Sequence, residues 1–170
     1  QPVGKADMAL SPMPRYDLIN LENYFYAGIE ASRGCPFRCE FCSSFDSAGG
    51  VPRVKTPQQT LKELNALYES GYRGLIDFFD DNLAGDRLAL EELLRSIASW
   101  QQERDYPFRF SAMISMNVSC HPHLITLLAQ SGFRGVYIGF ESCDPQVLHK
   151  MLKTQNLKLF LIYEPFCCIW

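Results

Sequence analysis

Apolar residues along this chain recur with two alternating periods. Leu61, Leu64 and Leu67 fall on one face of a helix, and the residues ahead of them carry its start signal. Thr56 is placed to cap, Pro57 takes the first helical position, and Gln59 completes a capping box. Gly71 supplies the left-handed stop. A longer stripe, Leu90, Leu93, Leu94, Ile97 and Trp100, predicts a helix over about 86–103. Behind Pro122, Leu124, Leu127 and Leu128 predict a shorter one that ends at Gly132, and behind Asp144 and Pro145, Val147, Leu148, Met151 and Leu152 predict a fourth. Between these helices lie short continuous apolar runs, at 26–31, 75–79, 108–114 and 136–140. Runs of that length, bounded by glycine or proline, read as parallel strands buried on both faces.

The junction Ser70-Gly71-Tyr72-Arg73-Gly74-Leu75 returns later as Ser131-Gly132-Phe133-Arg134-Gly135-Val136, so the chain repeats a helix-to-strand step. With a strand about every 30 residues, the spacing is that of successive βα units in a right-handed parallel wind. The fold class is therefore α/β, a barrel or an open sheet. In both, chemistry collects in the loops after the strands. Those loops hold a cysteine cluster after the first strand, Asp80, Asp81 and Asn82 after the second, Ser115 to Asn117 after the third, and Glu141 and Ser142 after the fourth.

Composition adds limits. The chain has 170 residues, 47% apolar and 21% charged, enough for one domain with its own core. A net charge of -3 offers no basic field for nucleic acid, and none is expected as a partner. No apolar run reaches the ~18 residues of a bilayer span, and no signal pattern opens the chain, so a cytoplasmic location is expected. Residues 1–22, with Pro2, Gly4, Pro12 and Pro14, read as a linker.

Seven cysteines are an odd number for a disulfide framework, and Cys35, Cys39 and Cys42 lie too close together to bridge one another comfortably. Their spacing, Cys-x3-Cys-x2-Cys, suits three irons of a cubane four-iron, four-sulfur (4Fe-4S) cluster and leaves the fourth iron open. Zinc is the alternative, but structural zinc prefers four ligands in two pairs, and no second pair stands at a suitable spacing. Cys120, Cys143, Cys167 and Cys168 read as free thiols.

Cys35-x3-Cys39-x-Phe41-Cys42, placed directly after the first strand, resembles the signature of the radical S-adenosylmethionine (SAM) enzymes. More narrowly, Pro14 to Ile19, Ser32 to Cys42, Phe78 to Leu83 with Gly85 and Asp86, and Ile138 to Ser142 resemble the cobalamin-associated subgroup, including the hopanoid-methylase-like proteins. The resemblance implies a partial (β/α)6 barrel over 23–156. It implies that Cys35, Cys39 and Cys42 hold the cluster and that SAM chelates the open iron. One electron then cleaves SAM to methionine and a 5'-deoxyadenosyl radical, for cobalamin-dependent methyl transfer or related C–H modification of a small molecule, a lipid or isoprenoid among the possibilities. The electron donor is expected to be a flavodoxin or ferredoxin, and cobalamin is expected on an upstream domain. A methylthiotransferase of another radical subgroup and a non-catalytic metal module stay open as alternatives.

Within that resemblance Phe41 flanks the adenine, unless it only packs the loop. Asp80 or Asp81 receives the methionine ammonium where many relatives carry Gly-Gly-Glu, although both acids are also good helix caps. Glu141 reaches a ribose or amino group. Arg33 serves either the cluster's charge or a surface ion pair. Four strands by Glu141 fall short of the six of a complete barrel, and 157–170 departs from the family pattern, with 159–163 read as a strand or a helix extension. Cluster binding without efficient turnover is the expectation for this length of chain.

Overall fold

The structure, a computed structural model, describes residues 4–157. The expected tail at 159–163, and Cys167 and Cys168, lie outside the described residues. In chain order the elements are β1 (Tyr26–Ile29), β2 (Ser32–Arg33), α1 (Ser44–Ser47), β3 (Arg53–Val54), α2 (Pro57–Glu69), β4 (Leu75–Phe78), α3 (Arg87–Gln102), β5 (Arg109–Met113), α4 (Pro122–Gln130), β6 (Phe133–Tyr137) and α5 (Pro145–Lys150). The first three of the expected helices form as read, whereas α5 stops at Lys150, so that Met151 and Leu152 of its expected stripe fall beyond it and only Leu148 is buried. The Gln59 amide donates to the Thr56 hydroxyl at 3.3 Å, and the Thr56 amide donates to the Gln59 side chain at 2.9 Å. Gly71 and Gly132 both sit at positive φ, +87° and +97°, after their helices.

The strands β1, β4, β5 and β6 form one parallel sheet in that order. Ile29 pairs with Phe78, Phe78 with Ala112, and Ala112 with Val136. All four strands consequently deliver their following loops to one edge, where the sequence places the chemistry.

Two strand expectations need correcting. The first strand ends at Ile29 rather than at residue 31, because the Ala31 and Ser32 amides turn to the Asp80 carboxylate, and Ser32–Arg33 instead pairs antiparallel with Arg53–Val54. The fourth runs from Phe133 to Tyr137 rather than over 136–140, and its register slips between Phe110 and Ser111, so Arg134 is left opposite no partner. It is also not buried on both faces. Four of its five residues are exposed, and β6 is an edge of the sheet among the described residues. An apolar groove of about 530 Å³ runs beside it, between Val136, Ile138 and Phe140 and the α4 residues Ile125 and Leu128.

Helices α2, α3 and α4 pack on the sheet through Leu64, Leu67, Leu94, Ile97 and Leu124, all but unexposed. Phe78, Phe110 and Phe133 meet as a triad with ring centroids 5.2–5.6 Å apart. Trp100 stacks on Phe108 at 5.5 Å. This core holds the strand ends in place from below. Among the described residues no helix is long and apolar enough to cross a membrane.

Candidate functional site

The cysteine loop leaves β2 through Gly34, whose φ of +102° suits glycine. A Cβ there would lie 2.7 Å from the Gly49 carbonyl oxygen and 3.0 Å from that of Val51. The close approach has a purpose, since the Cys35 amide donates to the same Gly49 oxygen at 3.1 Å. Cys42 N–H donates to Cys39 O at 3.0 Å, and Glu40 N–H donates to Met151 O at 2.9 Å, tying the loop to the residues after α5. Gly34→Ala is expected to cost about 1–2 kcal/mol in backbone conformation and to push the two carbonyls apart. Far-UV circular dichroism should stay native while iron uptake on reconstitution falls several-fold.

The paired acids after β4 divide their work. Asp80, 1% exposed, accepts from the Ala31 amide at 3.2 Å and from both the amide and the hydroxyl of Ser32, the latter at 2.6 Å. It pins the start of the cysteine loop to the end of β4 and does not line the cavity below. Burial pushes its carboxyl up to about 6, against the pull of the Ser32 and Ala31 hydrogen bonds. Because the folded value exceeds the ordinary 3.8, the folded state binds the proton more tightly, and this group's contribution to stability falls as pH rises from about 4 to about 6. Asp80→Asn should flatten that slope in urea melts taken across the window, at an overall cost of about 1–3 kcal/mol for the mismatched amide.

Asp81 turns the other way. Its carboxylate accepts from the Gly34 amide at 2.8 Å and faces a cavity of about 560 Å³. Cys35, Cys39 and Cys42 line the same cavity, with Phe37, Phe41, Asn82, Ser115, Lys153 and Gln155. Asn82 bridges the loops: its Nδ2 donates to Ser115 Oγ at 3.0 Å and reaches Cys35 Sγ at 3.8 Å, while its Oδ1 accepts from the Ser115 amide at 3.0 Å. Burial raises the Cys35 thiol, and hydrogen bonds from the Phe37 backbone and Asn82 lower it.

Glu141 is not among the residues that line the cavity, but its carboxylate accepts from the Lys153 ammonium at 2.8 Å, and that ammonium, which does line it, stands 5.3 Å from the Phe41 ring centre. Glu141 holds a φ of +68°, a conformation that costs a non-glycine residue about 1–3 kcal/mol. Arg33 settles into an ion pair with Glu30, Nε and Nη2 each donating at 2.7 Å. Ser111 lies buried below, bonded to Asp77. Lys153 and Gln155 escaped the sequence reading because they follow α5, remote from every strand end; their signal was only two polar residues that the helical stripe leaves over.

The donor set fits an iron–sulfur cluster. Cys35, Cys39 and Cys42 line one cavity, a soft thiol donor set of the kind that ligates iron–sulfur clusters.

Residues 29–161 match the family model of the Radical SAM superfamily, and the chain belongs to that superfamily. Among curated proteins it is 39% identical over 154 residues to an uncharacterized methyltransferase of Synechocystis sp., covering 91% of this chain and 29% of that protein. It is 35% identical over 153 residues to the hopanoid C-2 methylase of Rhodopseudomonas palustris, covering 90% and 29%. The chain thus spans less than a third of the length of these relatives. The fold matches that of the radical SAM methyltransferase TsrM from Kitasatospora setae, solved with cobalamin and a 4Fe-4S cluster, at a TM-score of 0.69 and 18% identity over 94% of this chain and 32% of that one.

Proposed function

We propose that this chain holds a 4Fe-4S cluster on Cys35, Cys39 and Cys42, binds SAM beside it, and belongs to an enzyme that cleaves SAM reductively for methyl transfer or related C–H modification. The observation that carries the reading is the single cavity in which the three thiols stand beside an acid, a cation and an aromatic ring. The names of the relatives, a hopanoid methylase among them, favour a methyl acceptor of lipid or isoprenoid type. Cobalamin enters because the TsrM structure that shares this fold contains it. A flavodoxin or ferredoxin is the proposed electron donor.

Each wall of the cavity has a part in this reading. Asp81 accepts the methionine ammonium, which Asp80 cannot do while its oxygens hold the loop. Lys153 offers the complementary charge for a carboxylate, and Phe41 flanks the adenine. Glu141 changes partner from Lys153 to a ribose hydroxyl or amino group as the cofactor enters. A reduced cluster held there would supply the electron that breaks a carbon–sulfur bond of the sulfonium, and the protein's share is to orient SAM and exclude water.

Anaerobic reconstitution of the chain with iron and sulfide tests the reading. About four irons per chain are expected, with a change in the reduced cluster's electron paramagnetic resonance spectrum on adding SAM. Stoichiometric zinc uptake with no cluster absorbance would refute it.

A further inference from the structure

We infer that Gln155 is a positioning residue for the cluster: its side-chain amide donates to the sulfur of Cys39 and makes the cluster easier to reduce. The inference rests on the cluster reading above. Gln155 Nε2 lies 3.4 Å from Cys39 Sγ, across 116 residues of sequence, and the residue is 8% exposed. Its Oε1 has no hydrogen-bond partner among the described residues. A cluster-bound thiolate is a much stronger acceptor for the amide N–H than a thiol.

The placement is built rather than incidental. Gln155 occupies the middle of a 3-10 turn, Thr154–Asn156. That turn is clamped on one side by Asn156 Nδ2, which donates to the Gly139 and Phe140 carbonyls at 3.0 and 2.9 Å. On the other side, Met151 O takes the Glu40 amide of the cysteine loop at 2.9 Å. The amide is thereby held against the loop by both its flanks. Asn82 offers a second and longer contact, 3.8 Å to Cys35 Sγ, from an independent element. Hydrogen bonds to cluster sulfurs stabilise the more negative, reduced state and raise the potential.

The test is a redox titration of the reconstituted cluster in wild type and Gln155→Leu, followed by electron paramagnetic resonance. At the wild-type midpoint, the reduced-to-oxidised ratio of the variant should fall by up to about tenfold, ~59 mV for one electron. Equal midpoints with full clusters in both proteins would overturn the inference and leave the cluster reading standing. A wild type without a cluster would overturn the reading itself and this inference with it. Gln155→Met, closer in shape, serves if the leucine variant does not fold. Should both fail, hyperfine coupling between the reduced wild-type cluster and 15N-labelled glutamine side chains decides, and absence of coupling counts against the bond.

Discussion

Cys42→Ser is expected to leave the apoprotein folded and to abolish the four-iron cluster. Cys42 is exposed, so the change should alter stability by no more than about 0.5 kcal/mol. A serine hydroxyl, hard and protonated at neutral pH, is a far weaker ligand for iron than a thiolate. Iron bound after reconstitution should drop from about four per chain to below one, and the visible charge-transfer absorbance should vanish, with the same result for Cys35→Ser and Cys39→Ser. Cys143, also exposed and not among the residues that line the cavity, provides the control: Cys143→Ser should assemble the cluster as wild type does. Equal loss in the control would mean that thiol damage, not ligation, was being measured.

Phe110→Ala should have the largest effect on stability. Phe110 is fully buried, with its ring between Phe78 at 5.6 Å and Phe133 at 5.3 Å and against Phe108 at 6.3 Å. Truncating a core phenylalanine costs about 3–5 kcal/mol through lost transfer energy and the cavity left behind, a large share of the roughly 5–15 kcal/mol that holds a domain together. The triad joins β4, β5 and β6, whose ends carry Asp81, Ser115 and the Gly139 turn into the cavity. A urea melt should show the loss directly, and cluster yield should fall with it. An unchanged midpoint would show that the ring triad contributes little to the sheet.

Much of this architecture is legible in the chain because its signals are local. The Thr56 capping box, the glycines at 71 and 132, and the stripe from Leu90 to Trp100 each act within a few residues. Errors arose where a distant group intervened. The first strand stops early because Asp80, on another strand's end, captures the Ala31 and Ser32 amides. The fourth strand starts early because its register is set by Phe110 and Ser111 of β5, which no local pattern in 133–140 encodes.

The candidate site divides in the same way. Cys35, Cys39 and Cys42 lie within eight residues, so their spacing alone dictates a soft donor set on one loop, and the periodicity of the apolar runs alone puts that loop at the active edge of an α/β sheet. Which acid faces the cavity was settled by folding: Asp80 and Asp81 are chemically equivalent neighbours that successive backbone steps send to opposite sides, one beneath the loop and one into the cavity. Lys153 and Gln155 join the site only because the turn after α5 closes back over the cysteine loop. The ligand spacing is a property of consecutive bonds and is written in the sequence, whereas the shell around it is made by contacts between elements distant along the chain, 47 positions from Gly34 to Asp81 and 116 from Cys39 to Gln155.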